Sequence, residues 1–209
     1  RCFTPEQCVY AISVSHPDKV YRDRTVDFFN QHIEAAVQLD CDHMVVSTGF
    51  AYLDVDAEDA FGWCAEAMGR IARKAEQEGV TLAVEPFTKY PTHICNEASQ
   101  LRRLLRTVNS PRLTGLADTD VIATTAVDTF STFLDVIGPE NLGHVHFVDG
   151  NPGGHLVPGD GVLDLDGALE KLKAIHYTGA LGLEVLDRRY VFAPEAAMKQ
   201  AMDWYKERI

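Results

Sequence analysis

Several features are scarce or absent in this 209-residue sequence, and each absence excludes a class of protein. No apolar run approaches the 18 or so consecutive residues that a membrane span requires. Basic residues are few, since 19 Lys and Arg stand against 31 Asp and Glu, a formal net charge of −12. Because Lys and Arg drive binding to phosphate backbones and to anionic lipid surfaces, we expect neither nucleic acid nor a membrane as a partner.

Disulfide and secretion signals are also missing. The five cysteines are odd in number and include no Cys-x-x-Cys pair. This usage is typical of reduced thiols, and no signal peptide is apparent, so the sequence predicts a cytoplasmic protein. The chain starts at Arg1 without an initiator Met, in what reads as a loop, and we expect N-terminal sequence to be missing.

What the sequence does contain is a regular alternation of apolar and amphipathic segments. The apolar segments, rich in β-branched residues, predict strands at 43–50, 80–87, 113–119, 142–149 and 180–186. The amphipathic segments predict helices at about 22–39, 56–78, 96–107, 125–137, 165–176 and 194–208. Gly79 stands where a left-handed helix C-cap belongs, and Asn96 can cap the next helix. This alternation is typical of parallel β/α units, and we expect a single domain over residues 1–209.

Ionisable residues near the strand ends distinguish the two α/β folds that five such units allow. An open doubly wound sheet is disfavoured because no strand is followed by a GxGxxG or Walker motif. Four strands instead carry an ionisable residue near their C-terminal end: Glu85, Asp118, His146 and Glu184. Alternation puts their apolar neighbours on the opposite face, so these four would face the interior of a (β/α)8 barrel. They would meet at the C-terminal rim, where barrel enzymes carry their sites.

Three carboxylates and an imidazole at one point predict a metal site. A buried carboxylate must be paired, protonated or bound to a metal. The set of ligands suits Mn²⁺, Mg²⁺ or Co²⁺ and suits Zn²⁺ less well. Simpler explanations exist for each residue alone. An acid at a strand end can be a helix cap, Asp120 is an alternative to Asp118 as the acid at that strand end, and His144 is an alternative to His146 as the histidine ligand. We expect His146 to be the ligand, because His144 would lie deeper in the barrel.

Two further segments would lie on the same rim. The Gly- and Pro-rich stretch 149–161 is too irregular for a simple turn and reads as an active-site loop. We expect Asp149 and His155 of this loop to contact substrate, although a solvated loop histidine is the alternative for His155. Tyr90, in the turn after the Glu85 strand, is a third candidate, with a packing role as its alternative.

With these residues in view, the sequence resembles the xylose-isomerase-like TIM barrels. That superfamily includes sugar isomerases, ketose 3-epimerases and DNA-repair enzymes of the endonuclease IV type. The resemblance extends from about Phe3 onward and rests on five motifs in order: VEPFTKY, GLADTD, HVHFVDG, HLVPGDG and GLEV. It implies that segment 43–50 is the fourth strand of eight and that Arg1–Pro5 ends the third. About three N-terminal strands are therefore expected to be lacking from this chain.

The resemblance also implies roles for individual residues. Glu85, Asp118, His146 and Glu184 correspond to the metal ligands of the superfamily, and Glu85 and Glu184 to the acid/base pair of its epimerases. His155 corresponds to the histidine that precedes the PGxG element.

Departures from the family pattern reduce the number of branches of the superfamily that the sequence fits. The endonuclease IV branch has metal ligands where this chain has Val121 and Gly153, and the net charge also opposes DNA repair. Tagatose and psicose 3-epimerases hold their sugar with a His and an Arg where this chain has Val121 and Pro152. The fructoselysine 3-epimerase branch is closer. It shares the FTPE opening, the EPxTxY turn followed by Cys95-Asn96, the SPRL segment from Ser110 to Leu113, the HxHxVD strand and the HxxPGxG loop.

The function that the resemblance implies is that of an isomerase. We expect a metal-dependent epimerase that inverts C3 of a ketose or ketose-amine through a cis-enediolate, with Glu85 and Glu184 acting from opposite faces. Mn²⁺ is the expected ion, with Mg²⁺, Co²⁺ and Zn²⁺ as alternatives. The expected partners are a small sugar substrate and further copies of the chain in a homo-oligomer. An aldose–ketose isomerase or keto-inositol dehydratase on the same site, and a non-catalytic barrel subunit, stay open as alternatives.

Overall fold

The computed structural model describes residues 12–49, 54–88 and 94–208. The chain divides into two compact units, Arg1–Leu116 and Ala117–Ile209. Tyr90 and the FTPE segment lie outside the described residues, and the single domain expected over 1–209 stays a prediction. No helix in the described ranges is both long and apolar enough to cross a membrane.

The first unit alternates helices and parallel strands as predicted. Its elements are α1 (Lys19–Gln38), β1 (His43–Ser47), α2 (Ala57–Glu78), β2 (Thr81–Glu85), α3 (Ala98–Val108) and the first residues of β3 (Leu113–Asp118). β1 pairs with β2 in parallel, Val45 opposite Ala83, and β2 pairs with β3, Ala83 opposite Thr114. With neighbours on both edges, β2 is buried from Leu82 to Glu85.

Helix ends in this unit follow local signals, with one correction. Gly79 closes α2 with φ +77°, the left-handed conformation that glycine adopts without strain, as predicted. The prediction that Asn96 caps the next helix is wrong by one residue, because α3 has Glu97 as its N-cap. Gln100 accepts the backbone N–H groups of both Asn96 and Glu97, while the Asn96 side chain donates to the carbonyl of Phe87. Asn96 therefore ties the β2–α3 connection together instead of capping the helix.

The second unit contains the end of β3, two more strands and four α-helices among the residues described. These elements are α4 (Thr119–Thr125), α5 (Phe130–Ile137), β4 (Leu142–His146), α6 (Leu165–Ala174), β5 (Leu181–Gly182) and α7 (Pro194–Lys206). β4 pairs with β5 in parallel, with His146 opposite Gly182. Aromatic packing fixes the segment after β4, since Phe147 packs against Trp204 and Tyr205 of α7 and its carbonyl accepts the Tyr205 hydroxyl at 2.9 Å.

Two predicted elements of this unit are wrong in extent. The helix expected at 125–137 begins only at Phe130, as α5 with Thr129 as its cap, because Ala126 adopts φ +53° and ends the separate helix α4, which was not predicted. The strand expected at 180–186 is reduced to Leu181–Gly182. Glu184 therefore follows β5 instead of lying within it.

Candidate metal centre

Asp118 connects β3 to α4, and its two carboxylate oxygens have different environments. Oδ1 accepts the N–H groups of Asp120 at 2.8 Å and Val121 at 2.7 Å, which caps α4. Oδ2 is buried and accepts no hydrogen bond from any described residue. Asp118 can therefore cap α4 and bind a metal ion at the same time, since the two roles use separate oxygen atoms of its side chain.

His146 and Glu184 approach the second oxygen of Asp118. Nδ1 of His146 lies 3.6 Å from Asp118 Oδ2 and 3.4 Å from Glu184 Oε2. One ligand atom from each of these three residues lies within 4.8 Å of the other two. The side chains of Asp118 and His146 are 1% and 12% exposed, whereas that of Glu184 is 40% exposed. The cluster is therefore buried on one side and open to solvent at Glu184.

His155, from the loop after β4, joins the same cluster. Its Nε2 lies 3.3 Å from Asp118 Oδ2 and 3.4 Å from Glu184 Oε2, and its Nδ1 lies 3.1 Å from Asp120 Oδ2. With a side chain only 16% exposed, it is not a solvated loop histidine. The carboxylates of Asp118, Asp120 and Glu184 raise the pKa of His155 to about 12, so its imidazole is protonated in the protein without an ion.

The pKa of Asp118 reflects opposing effects. Burial would raise it, because desolvation disfavours the charged form. The imidazoles of His146 and His155 and the N–H of Val121 outweigh burial and lower the pKa of Asp118 to about 2. The carboxylate is therefore ionised at neutral pH, as a metal ligand must be.

Asp120 is fully buried and holds the loop that carries His155. Its Oδ1 accepts the N–H of Gly153 at 2.5 Å, and its Oδ2 accepts the N–H of His155 at 2.9 Å. At Gly150 a Cβ atom would lie 1.8 Å from Asp120 Oδ1, so only glycine fits there. The sequence suggested Asp120 only as a competitor of Asp118, because nothing local shows that its partners lie 33 and 35 residues later.

Asp149 organises the remainder of this loop. It is 3% exposed, and its two oxygens accept four backbone N–H groups: Gly150 and Leu163 on Oδ1, Gly159 and Gly161 on Oδ2. The observed role of Asp149 is therefore to shape the loop. Contact with a substrate stays a prediction for Asp149, as it does for Tyr90.

The remaining predicted residues lie on β4 and β2. His146 contacts both carboxylates, whereas His144 packs edge-on against His146, with ring centroids 5.2 Å apart. Nε2 of His144 approaches Gly182 so closely that a Cβ there would lie 2.9 Å away. Glu85 ends β2 in the first unit and is 6% exposed. Its part in the metal site stays a prediction.

The donor set of the second unit fits a divalent cation. It combines carboxylate oxygens with imidazole nitrogens, which are ligands of Mn²⁺, Co²⁺ and Zn²⁺ in proteins. A cation would also neutralise the buried Oδ2 of Asp118, whose contacts with the imidazoles of His146 and His155, at 3.6 and 3.3 Å, are ion pairs without hydrogen-bond geometry.

The sequence and the fold are similar to those of known proteins. A family model described as xylose isomerase-like TIM barrel matches residues 3–208. The fructoselysine 3-epimerase of Shigella flexneri is 26% identical over 206 residues, which cover 98% of this chain and 74% of that protein. The crystal structure of a 3-keto-D-glucoside 4-epimerase from E. coli superposes with a TM-score of 0.83 at 19% identity, over 95% of this chain and 76% of that one. A D-psicose 3-epimerase from Clostridium cellulolyticum H10, solved with D-tagatose, gives a TM-score of 0.83 at 18% identity, over 94% and 74%.

These matches confirm the predicted fold as a TIM barrel over the part of those structures that the chain covers. At such low identity the solved structures show the fold alone. The curated relative is named an epimerase, so an isomerase is confirmed as the enzyme class of the relatives.

Proposed function

The chain belongs to the xylose isomerase-like TIM barrel family, and from that premise we propose that it is a divalent-metal-dependent epimerase that inverts C3 of a ketose or of a ketose-amine resembling fructoselysine. The observation that carries the proposal is the cluster of Asp118, His146 and Glu184, with its buried carboxylate oxygen that accepts no hydrogen bond from the described residues. The similarity to a fructoselysine 3-epimerase along 98% of the chain supports the substrate class.

The proposed metal ligands are Asp118, His146, Glu184 and Glu85. Glu85 is included because β2 and β3 are parallel neighbours and each ends in an acid, Glu85 on β2 and Asp118 on β3. Mn²⁺ is the proposed native ion, with Mg²⁺, Co²⁺ and Zn²⁺ as alternatives. A cytoplasmic location and a homo-oligomer complete the proposal.

Inversion next to a ketone needs a weak carbon acid to lose a proton and regain it on the other face. A bound divalent ion would polarise the ketone and stabilise the negative charge that develops on its oxygen. In the proposal one glutamate, Glu85 or Glu184, removes the C3 proton as general base. The other delivers a proton to the opposite face, because a single base would tend to restore the original configuration. The partial exposure of Glu184 supports its role, since substrate must reach the group that moves the proton.

Product identity tests the proposal. The Mn²⁺-loaded protein is incubated with fructoselysine and separately with D-fructose, and the products are identified by NMR. We expect the C3 epimer, and we expect a chelator to abolish its formation. A C1–C2 interconversion product would instead support an aldose–ketose isomerase, and a dehydrated product a dehydratase. Absence of any product from a metal-loaded protein would favour a non-catalytic barrel.

Two glutamate variants provide the matched comparison. Glu184→Gln keeps the size of the side chain and removes its charge and basicity, so conversion is expected to stop. Glu170→Gln makes the same change at an exposed position on α6 and is expected to leave conversion unaltered. Full conversion by Glu184→Gln would contradict the two-base mechanism.

A further inference from the structure

Glu184 lies on a segment that follows β5 and is held by other contacts than strand pairing. The pairing of β5 with β4 stops at Gly182, and residues 183–193, the Glu184 segment, continue from there. The Glu184 side chain is 40% exposed, so packing around the carboxylate restrains it only on one side. Its position opposite Asp118 and His146 therefore depends on what holds the rest of the segment.

Tyr190 joins the far end of this segment to the loop after β4. Its hydroxyl donates to Oδ2 of Asp160 at 2.6 Å and accepts the N–H of Val157 at 3.1 Å, and both partners belong to that loop. The other oxygen of Asp160 accepts the amide of Gln200, on α7, at 2.7 Å. One phenol hydroxyl thus connects the segment to the loop and, through Asp160, to α7.

Two further contacts lie along the same stretch. The N–H of Leu186 donates to the carbonyl of His155 at 3.1 Å, which joins the segment to the loop a second time. Three half-buried side chains of the segment pack on a small apolar cluster: Leu183, Val185 and Tyr190 contact Val157, Ala197 and Ala201. The packing restrains the segment against α7, and the hydrogen bonds restrain it along the loop.

The bond between Tyr190 and Asp160 is a strong one, because its acceptor is charged. The hydrogen bonds from Tyr190 and Gln200 lower the pKa of Asp160, so its carboxylate is ionised at neutral pH. A hydrogen bond to an ionised group is roughly twice as strong as one between neutral groups. Phenylalanine at position 190 would keep the ring and its packing but would lose both hydrogen bonds of the hydroxyl. A single substitution therefore separates the polar contacts from the apolar ones.

We propose that Tyr190 is a positioning residue of the candidate metal centre, and that its hydrogen bond with Asp160 sets the position of the Glu184 carboxylate. With this bond in place the Glu184 segment is held against the loop after β4, and the carboxylate stays beside Asp118 and His146. The inference rests on the proposed function, because it takes Glu184 as a metal ligand. The role of Tyr190 is exerted through Glu184 and not on the substrate.

Mn²⁺ binding in the absence of substrate tests the proposal independently of activity. The EPR signal of unbound Mn²⁺ gives the dissociation constant for the parent, Tyr190→Phe, Glu184→Ala and the double variant. We expect Tyr190→Phe to weaken binding about tenfold, the lower end of the usual effect of losing an outer contact of a metal ligand.

The double variant separates positioning of Glu184 from a general structural role. Once Glu184→Ala has removed the carboxylate, Tyr190→Phe is expected to change the dissociation constant by less than about twofold, because substitutions that act through one interaction are not additive. A general loosening of the unit would weaken binding equally in both backgrounds, and that result would overturn the proposal.

Two further variants complete the comparison. Tyr177→Phe removes another tyrosine hydroxyl of the same unit, which donates to the carbonyl of Ala180 at 3.0 Å, and is expected to bind Mn²⁺ like the parent. Asp160→Ala removes the acceptor and leaves Tyr190 in place, so it is expected to weaken binding as Tyr190→Phe does. It also covers the case in which Tyr190→Phe does not fold. All variants are compared well below their Tm, so that unfolding does not enter the dissociation constant.

The failure of this inference is distinguishable from failure of the proposed function. If Glu184→Ala weakens Mn²⁺ binding while Tyr190→Phe and Asp160→Ala bind like the parent, the inference fails and the metal-dependent function stands. If the parent binds no Mn²⁺, or if Glu184→Ala binds it as well as the parent does, the proposed ligand set fails and the inference fails with it.

Discussion

Asp149 offers the sharpest test of how the loop beside the candidate metal centre is held. Its buried carboxylate accepts two backbone N–H groups on each oxygen, at distances of 2.8–3.1 Å. In Asp149→Asn one oxygen becomes an NH₂ group, and whichever oxygen is replaced, two of the four hydrogen bonds are lost. The new donor also faces two N–H donors, at Gly150 and Leu163 or at Gly159 and Gly161.

The size of the effect follows from the number of bonds. A hydrogen bond to a charged group contributes about 1.5–3 kcal/mol, and the partly exposed loop argues for the lower value. Two bonds then amount to about 3 kcal/mol, which lowers Tm by roughly 6–12 °C in a chain of this size. Asp164→Asn is the matched control, because Asp164 accepts one N–H, from Gly167, at the exposed start of α6. Asn caps a helix as well as Asp does, so its effect is expected within about 0.5 kcal/mol.

The assay is thermal unfolding followed by tryptophan fluorescence. A Trp63→Phe background leaves Trp204, on α7, as the reporter of the second unit. If Asp149→Asn unfolds at the temperature of the parent, the four bonds do not organise the loop and the reasoning is refuted. A raised KM with an unchanged Tm would instead support the substrate contact expected from the sequence.

Two further substitutions test neighbouring parts of the second unit. Thr119→Val is expected to lower the free energy of unfolding by about 2 kcal/mol, because the Thr119 hydroxyl donates to the carbonyl of Val148 at 2.6 Å and accepts the N–H of Val148 at 2.9 Å, and both groups would lose a buried partner. Urea denaturation measures this change in free energy. A loss below about 0.5 kcal/mol would contradict the prediction. Tyr190→Phe removes the hydroxyl that lowers the pKa of Asp160. Since the folded pKa lies below the unfolded value of about 3.9, this stabilisation is present above that pH and is lost as the pH falls through the folded pKa. The hydroxyl also accepts the N–H of Val157 at 3.1 Å, and that contribution does not depend on pH. Parent and variant should therefore differ by roughly 1–2 kcal/mol at pH 7 and by less in acid, whereas a difference that grows in acid would refute the sign.

Much of the fold could be predicted because its determinants are local. The helical spacing of Ala60, Trp63, Ala67 and Ile71 predicts one inward face along α2, on which Ala60, Ala67 and Ile71 are buried and Trp63 is half-buried. Gly79 marks the end of that helix because few other residues adopt φ near +77° without strain. Alternation along β2 was sufficient to single out Glu85 among apolar neighbours.

The errors arise where partners distant in sequence decide the structure. A strand continues only while a neighbour pairs with it, and β5 pairs with β4 at Leu181 and Gly182, so the apolar pattern up to residue 186 overestimates its length. The break between α4 and α5 was missed because Ala126, in its left-handed conformation, gives no signal in composition. Thr129, which caps α5 by bonding the N–H of Thr132, was the one local cue.

In the candidate site, too, local sequence predicted some residues, whereas the roles of others depend on partners distant in sequence. Asp118, His146 and Glu184 were predicted as a group because parallel strands bring their C-terminal ends to one edge. The role of Asp120 was not predicted, since the loop that it holds lies more than 30 residues further along the chain. His155 was singled out as the titratable residue of an irregular loop, but its two contacts with the carboxylates depend on how Asp120 folds that loop back.

Isotope exchange at C3 is the measurement that tests the central claim most directly. The Mn²⁺-loaded protein is incubated with fructoselysine in D₂O, and the position of deuterium is determined by NMR for the parent, for Glu184→Gln and after chelation. The account predicts deuterium at C3 of the epimer formed by the metal-loaded parent, and none in the other two samples. Deuterium confined to C1, or a fully metal-loaded parent that exchanges nothing, would contradict it.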